Sequence, residues 1–162
     1  MKILVLSGAA LCLLFAGCWS PKAEAESRPE FLCRMATQHF AAFFPKSPPK
    51  LVREGRCDLG SVEAGAVDVY YPTLGTDSLE RERIVTHAIN SSPVDEPALG
   101  EGAFSVHGSA KDASGKPFYT VQYYARKNAQ IFAITFKRYQ PFTESDFKAQ
   151  RAAILAYFDD LD

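Results

Sequence analysis

Apolar and polar positions change rhythm several times along this chain, and each rhythm predicts an element. Phe31, Leu32, Met35, Ala36, Phe40, Phe43 and Phe44 recur at intervals of three and four, the spacing of one helical face. Ser27 and Glu30 stand ahead of them at capping-box spacing. Pro45 and then Pro48-Pro49 end the run, so a first helix is expected from Arg28 to Phe44. Alternation follows. Val67, Val69 and Tyr71 take every second position, which puts them on one face of a strand from Ala64 to Tyr71, after an earlier strand from Leu51 to Cys57. Leu79, Ile84, Val85, Ala88 and Ile89 form a modest stripe on a second helix from Ser78 to Asn90. Asp77 and Glu80 have capping spacing there, and Glu80-Arg81-Glu82-Arg83 reads as a solvated face. Residues 91–102 carry two prolines and two glycines and read as a long loop.

Three further strands are expected at Phe104–Ser109, Phe118–Arg126 and Ile131–Arg138. Asp112-Ala113-Ser114-Gly115 and Lys127-Asn128 suit the turns between them. Phe132, Ile134 and Phe136 share one face of the last strand, with Ala133, Thr135 and Lys137 opposite. A final helix starts after Thr143, whose spacing to Asp146 is that of a capping box, and Phe147, Ile154, Leu155, Phe158 and Leu161 are its expected buried stripe. The order α-β-β-α-β-β-β-α predicts an α+β domain, an antiparallel sheet of five or more strands covered by helices. This order is similar to that of the PsbP-like family of small exported proteins. The resemblance implies a binding or assembly role rather than catalysis.

The first residues have a different character. Lys2 precedes an apolar run from Ile3 to Ala16, shorter than the roughly 20 residues that span a bilayer. A basic start, a short apolar core and small residues at its end make a secretory signal. Phe15-Ala16-Gly17-Cys18 resembles the lipobox of bacterial lipoproteins, with Phe15 where leucine is commonest. The resemblance implies that Cys18 is acylated and becomes the new N-terminus. Ordinary cleavage after Ala23-Glu24-Ala25 is the rival. The lipobox directly abuts the apolar core, which favours lipidation. The expected organisation is a signal peptide at 1–17, a polar tether at 18–27 and one domain at 28–162.

Charge then narrows the partners. Without Lys2 the chain keeps 17 basic against 19 acidic side chains, and no basic block stands out, so nucleic acid is not an expected partner. Of four cysteines, Cys12 lies in the signal core and Cys18 is the proposed anchor. Cys33 and Cys57 remain, and two cysteines in an oxidising compartment are expected to pair.

The candidate chemistry is sparse. His39, His87 and His107 form no metal-ligand pattern, and neither a metal site nor a cofactor is expected. Gly108–Pro117 carries a Gly-Lys pair, but Ala110 and Pro117 stand where a phosphate loop needs glycine and a hydroxyl, so a hairpin turn is expected. Ser105 and His107 alternate on one strand without the elbow of a serine hydrolase. Asp159, Asp160 and Asp162 read as a solvated tail. Aromatics concentrate on the strands: Tyr70, Tyr71, Phe118, Tyr119, Tyr123 and Tyr124 are the candidate partner surface, where exposed tyrosines favour recognition. Tyr119 and Tyr123 share a face and Phe118 and Tyr124 the other, so one set lies outside the core unless helices cover both faces.

The reading is a non-catalytic binding or assembly module, held by lipid on the periplasm-facing side of a bacterial envelope membrane, with a protein partner. An immunity or inhibitor lipoprotein that neutralises a toxic enzyme is the alternative, and a small-ligand carrier the second.

Overall fold

The computed structural model describes residues 26–44, 50–53, 55–71, 78–88 and 92–162. The signal peptide, Cys18 and the tether up to residue 25 lie outside the described residues, as do Pro45, Pro48, Pro49, Asp77, Ile89 and Asn90. Helix α1 spans Arg28–Phe40, and strands β1 (Lys50–Arg53), β2 (Arg56–Ser61) and β3 (Gly65–Tyr70) follow. Then come helix α2 (Leu79–Ala88) and strands β4 (Val94–Asp95), β5 (Phe104–Lys111), β6 (Pro117–Lys127) and β7 (Gln130–Arg138). Helix α3 (Glu144–Asp159) closes the fold. The seven strands form one sheet in the order β1-β2-β3-β7-β6-β5-β4, antiparallel throughout. The fold is α+β, as the order of elements predicts.

The ends of the helices follow local chemistry. Ser27 Oγ accepts the Glu30 amide while Glu30 Oε2 accepts the Ser27 amide at 2.9 Å, a complete capping box. Thr143 and Asp146 form the same reciprocal pair at α3. At α2 the cap sits one residue later than expected, because Ser78 Oγ accepts the Arg81 amide at 3.1 Å. Helix α1 ends at Phe40 rather than Phe44: the chain tightens into a 3-10 turn over Ala41–Phe43, which lays the Phe43 ring 4.9 Å from that of Phe136.

The strand expected at Leu51–Cys57 is two strands, folded back at Gly55, whose φ of +84° only glycine adopts freely. The loop expected at 91–102 contributes β4, and its Leu99 is buried. The β6–β7 turn is Asn128-Ala129, one residue beyond Lys127-Asn128. Both have positive φ, as a two-residue hairpin matched to strand twist requires.

The two faces of the sheet are covered differently. Val67, Val69, Val121, Tyr123, Phe132, Ile134 and Phe136 form the inner face, packed under α1 and α3. Tyr157 and Ile154 of α3 and Phe40 of α1 are wholly buried against it. Leu155 was expected in this stripe and points outward at 39% exposure, while Tyr157 and Gln150 take the inward positions. On the outer face α2 covers one part, where Leu79, Phe104 and Ile131 form a small second cluster with Tyr124. Ile84 and Val85 of its expected stripe are exposed instead, and Thr86 is the buried neighbour.

Cys33 of α1 and Cys57 of β2 form a disulfide, with Cα atoms 5.4 Å apart. The bond ties the first helix to the sheet, as the cysteine count predicts. Among the described residues no helix is long and apolar enough to cross a membrane.

Candidate functional site

The strand register sorts the six candidate aromatics. Tyr71 and Tyr123 point inward and are 2% and 1% exposed, so neither belongs to a partner surface. Their hydroxyls are committed: Tyr71 donates to the Pro29 carbonyl at 3.3 Å and Tyr123 to Gln150 Oε1 at 2.9 Å. Burial above all, then the charge of Glu96, pushes the Tyr123 hydroxyl pKa well up. Tyr124 points outward but lies under α2, stacked 4.6 Å from Phe104 and hydrogen-bonded to Thr86. Helices thus shield part of each face, and three of the six, Tyr71, Tyr123 and Tyr124, pack in or against the two apolar clusters. Tyr119 lies on the inner side, opposite Arg138, and is half-buried. Phe118 is half-buried on the outer side. Tyr70, 50% exposed, is the one of the six that stands clear.

Around Tyr70 the outer face of β2, β3 and β7 is polar. Register places Arg56 opposite Tyr70, Asp58 opposite Asp68, and Asp68 opposite Thr135. Arg56 Nε donates to Asp58 at 2.7 Å and Nη2 to Asp68 at 3.4 Å, and Lys137 Nζ donates to Asp68 from the other side. Two cations and two carboxylates balance, so this ladder has no net charge. Its worth to stability is about 1 kcal/mol or less per pair at this exposure. It does fix four long side chains in place around an exposed tyrosine.

A second constellation gathers on the inner side at the far edge. Ser105 and His107 share a face, with Oγ 3.4 Å from Nε2. Glu96, from the loop before β5, joins them: Ser105 Oγ donates to its Oε1 at 2.8 Å. Three residue types of a catalytic triad meet here, yet in the wrong order. A triad passes the serine proton to histidine, which the acid orients. Here serine lies between histidine and glutamate, its proton goes to glutamate, and Ser105 is fully buried. The arrangement satisfies a buried carboxylate, which Arg151 of α3 also approaches at 3.4 Å. It pins the loop bearing β4 to the sheet and to α3. Sequence reasoning found Ser105 and His107 through strand alternation. It had no signal for Glu96, which lies in a loop.

The remaining motifs are structural. Gly108–Pro117 is a hairpin, with Asp112 Oδ1 accepting the Ser114 and Lys116 amides, both at 2.9 Å. His39 pairs with Asp160 at 2.8 Å, and Asp162 accepts from Lys127 and Asn128 at 2.8 and 3.1 Å, so the acidic tail is fastened rather than merely solvated. Among the described residues no group of histidine, cysteine and carboxylate side chains is placed to hold a metal ion.

A cleft of about 360 Å³ opens where the end of α1 and the start of α3 diverge above β7. Phe43 and Phe142, both half-buried, flank it, and Phe136 lies beneath at 1% exposure. Arg138 lines it too, with its guanidinium 4.4 Å from the Phe142 ring centroid and bound to Asp146 at 2.5 and 3.0 Å. That bond, more than the Thr143 cap, pulls the Asp146 carboxyl down from 3.8 to about 2.

The chain matches no protein-family model, and no similar sequence is found among curated proteins. The functional reading rests on the residues themselves.

Proposed function

We propose that this protein is a non-catalytic binding module, anchored by lipid at Cys18 to an envelope membrane on its periplasm-facing side, with the outer face around Tyr70 as its partner surface. The observation that carries this reading is the exposed Tyr70 beside the pre-ordered Arg56, Asp58, Asp68 and Lys137 ladder. A tyrosine with two rotatable angles on a rigid strand loses little entropy on docking, which suits a protein partner. The disulfide is in keeping with an oxidising compartment. The resemblance of the expected element order to that of PsbP-like proteins is in keeping with an assembly role. The partner-protein reading ranks above a small-ligand carrier because Tyr70 and the ordered ladder lie on an open face.

The test is photo-crosslinking in the native membrane, with a reactive residue at position 70 or, as control, at Leu155 on the exposed side of α3. A discrete adduct is expected from position 70, lost when Thr135→Arg obstructs the face and absent from position 155. Equal adducts from both positions would dismiss the surface. Intact mass should give a diacylglyceryl adduct on Cys18, and a soluble product beginning at Glu26 would dismiss the anchor.

A further inference from the structure

The charged groups lining the cleft are not equally satisfied. Lys137 is paired with Asp68 and Arg138 with Asp146. Glu63, on the β2–β3 turn, is exposed and has no ion pair among the described residues. Its carboxylate accepts from Ser61 and from its own amide, which hold it ionised, and the Tyr139 hydroxyl lies 3.4 Å away. Nearby, Lys116 sits 3.6 Å over the Tyr139 ring, and Asp112, which accepts the Tyr139 hydroxyl at 2.5 Å, offsets that ammonium. Among the described residues the charge left over at the mouth is therefore negative.

The floor and flanks are aromatic. Ring faces attract cations as well as apolar surface, and in this cleft a guanidinium already lies over Phe142. Phe43 is half-buried, packed edge-on to Phe136 at 4.9 Å. The wall behind it is rigid: Gly65 has φ of +97°, and a Cβ there would fall 2.1 Å from the Phe43 carbonyl oxygen. A volume of about 360 Å³ is at the small end of ligand clefts and suits one bicyclic ring with a short tail.

We propose that this cleft binds an aromatic ring carrying a positive charge, an arylalkylamine in chemical class, with the ring among Phe43, Phe136 and Phe142 and the ammonium on Glu63. The site is on the opposite side of the sheet from Tyr70 and does not depend on the lipid anchor. Charge complementarity decides the class: ring burial alone accepts any indole, whereas Glu63 discriminates the sign of the tail.

The probes are tryptamine, its carboxylate counterpart indole-3-acetate, and ethylamine, titrated into the full ¹⁵N-labelled chain in non-ionic detergent and followed by amide shifts. Tryptamine should saturate shifts at Phe43, Ala64, Gly65 and Gln140. Indole-3-acetate should bind about fivefold more weakly, the discrimination typical of one exposed ion pair, and ethylamine should not saturate. Glu63→Gln should bring tryptamine to the affinity of indole-3-acetate while leaving the rest of the spectrum unchanged. Equal affinity for the two indoles, an unchanged tryptamine affinity in Glu63→Gln, shifts centred elsewhere, or no saturable shift from tryptamine would each overturn the proposal.

Discussion

The two faces of the sheet are made by the same strands and have opposite economies. The inner face stacks Val67, Val121 and Phe136 across three strands and seals them under α1 and α3, with Phe40 edge-on to Phe136 and Phe132 edge-on to Tyr157. The outer face has one short helix over Phe104, Tyr124 and Ile131, and a ladder of ion pairs elsewhere. Burying an apolar side chain contributes roughly 1.5–3 kcal/mol, while an exposed ion pair contributes 1 kcal/mol or less. Stability therefore belongs to the inner face. The outer face keeps a defined shape at small energetic stake, which leaves its residues free to change at little cost to the fold.

The sharpest way to break this comparison is Phe158→Ala, on the inner side against Phe132 at 5.2 Å. It should cost about 3–5 kcal/mol in denaturant unfolding. A cost near 1 kcal/mol would mean that α3 is an appendage. Cys33→Ser comes next. The bond closes a loop with a sequence separation of 24, worth about 3.5 kcal/mol in the chain-entropy model, and the loss should appear as a lower melting temperature. Leu79→Ala, under α2 in the small outer cluster, should cost about 2 kcal/mol. A larger cost than that of Phe158→Ala would invert the ranking of the faces.

Acid should expose a smaller inner-face contribution. The carboxyl of Asp146 is depressed to about 2 in the fold, so its stabilisation is present above its unfolded value near 4 and is lost as pH falls from there through 2. Asp146→Asn should remove about 1 kcal/mol at neutral pH and flatten the acid limb between pH 4 and 2, as read by melting temperature against pH. The smallest effect is expected at Tyr70→Ala, within about 0.5 kcal/mol of the native stability, because half the side chain already meets solvent. A large loss there would make Tyr70 a structural residue and remove the case for the proposed partner surface.

Much of this contrast was legible in the sequence. Phe132, Ile134 and Phe136 alternate cleanly, and Ser27–Glu30 and Thr143–Asp146 announce their helices by spacing alone. Periodicity works wherever one face is buried and the other wet. It failed where both faces are covered. Tyr123 and Tyr124 are adjacent and both shielded, one by α3 and the other by α2, so no alternation could say which was exposed. It failed at Leu155 and Tyr157 for another reason: amphipathic tyrosine buries its ring and reaches the Leu32 carbonyl at 3.4 Å, while leucine two positions earlier is turned to solvent. Glu96 and the cleft are products of chain meeting chain. Glu63, Phe43, Phe136 and Phe142 come from four separate segments, and nothing in their spacing predicts the meeting.

The β6–β7 turn also gathers the two outermost helices. Arg28, at the start of α1, donates to Gln130 at 3.0 Å, and Asp162, beyond the end of α3, accepts from Lys127 at 2.8 Å. The start of α1 and the residues after α3 are thus moored to the same turn, at one pole. The tips at Asp112–Lys116 and Glu63, with the mouth of the cleft between the helices, lie at the other pole. Were Cys18 acylated, as proposed, eight residues would lead from it to Glu26 and reach at most about 29 Å when fully extended. A domain on so short a leash would hold the turn pole toward the bilayer and the opposite pole outward, so its position in sequence becomes its orientation in space. Joining residue 162 to residue 27 through a short flexible bridge, and opening the chain at the exposed Ala113-Ser114 tip, should give a permuted domain of the same fold with its new ends at the outward pole.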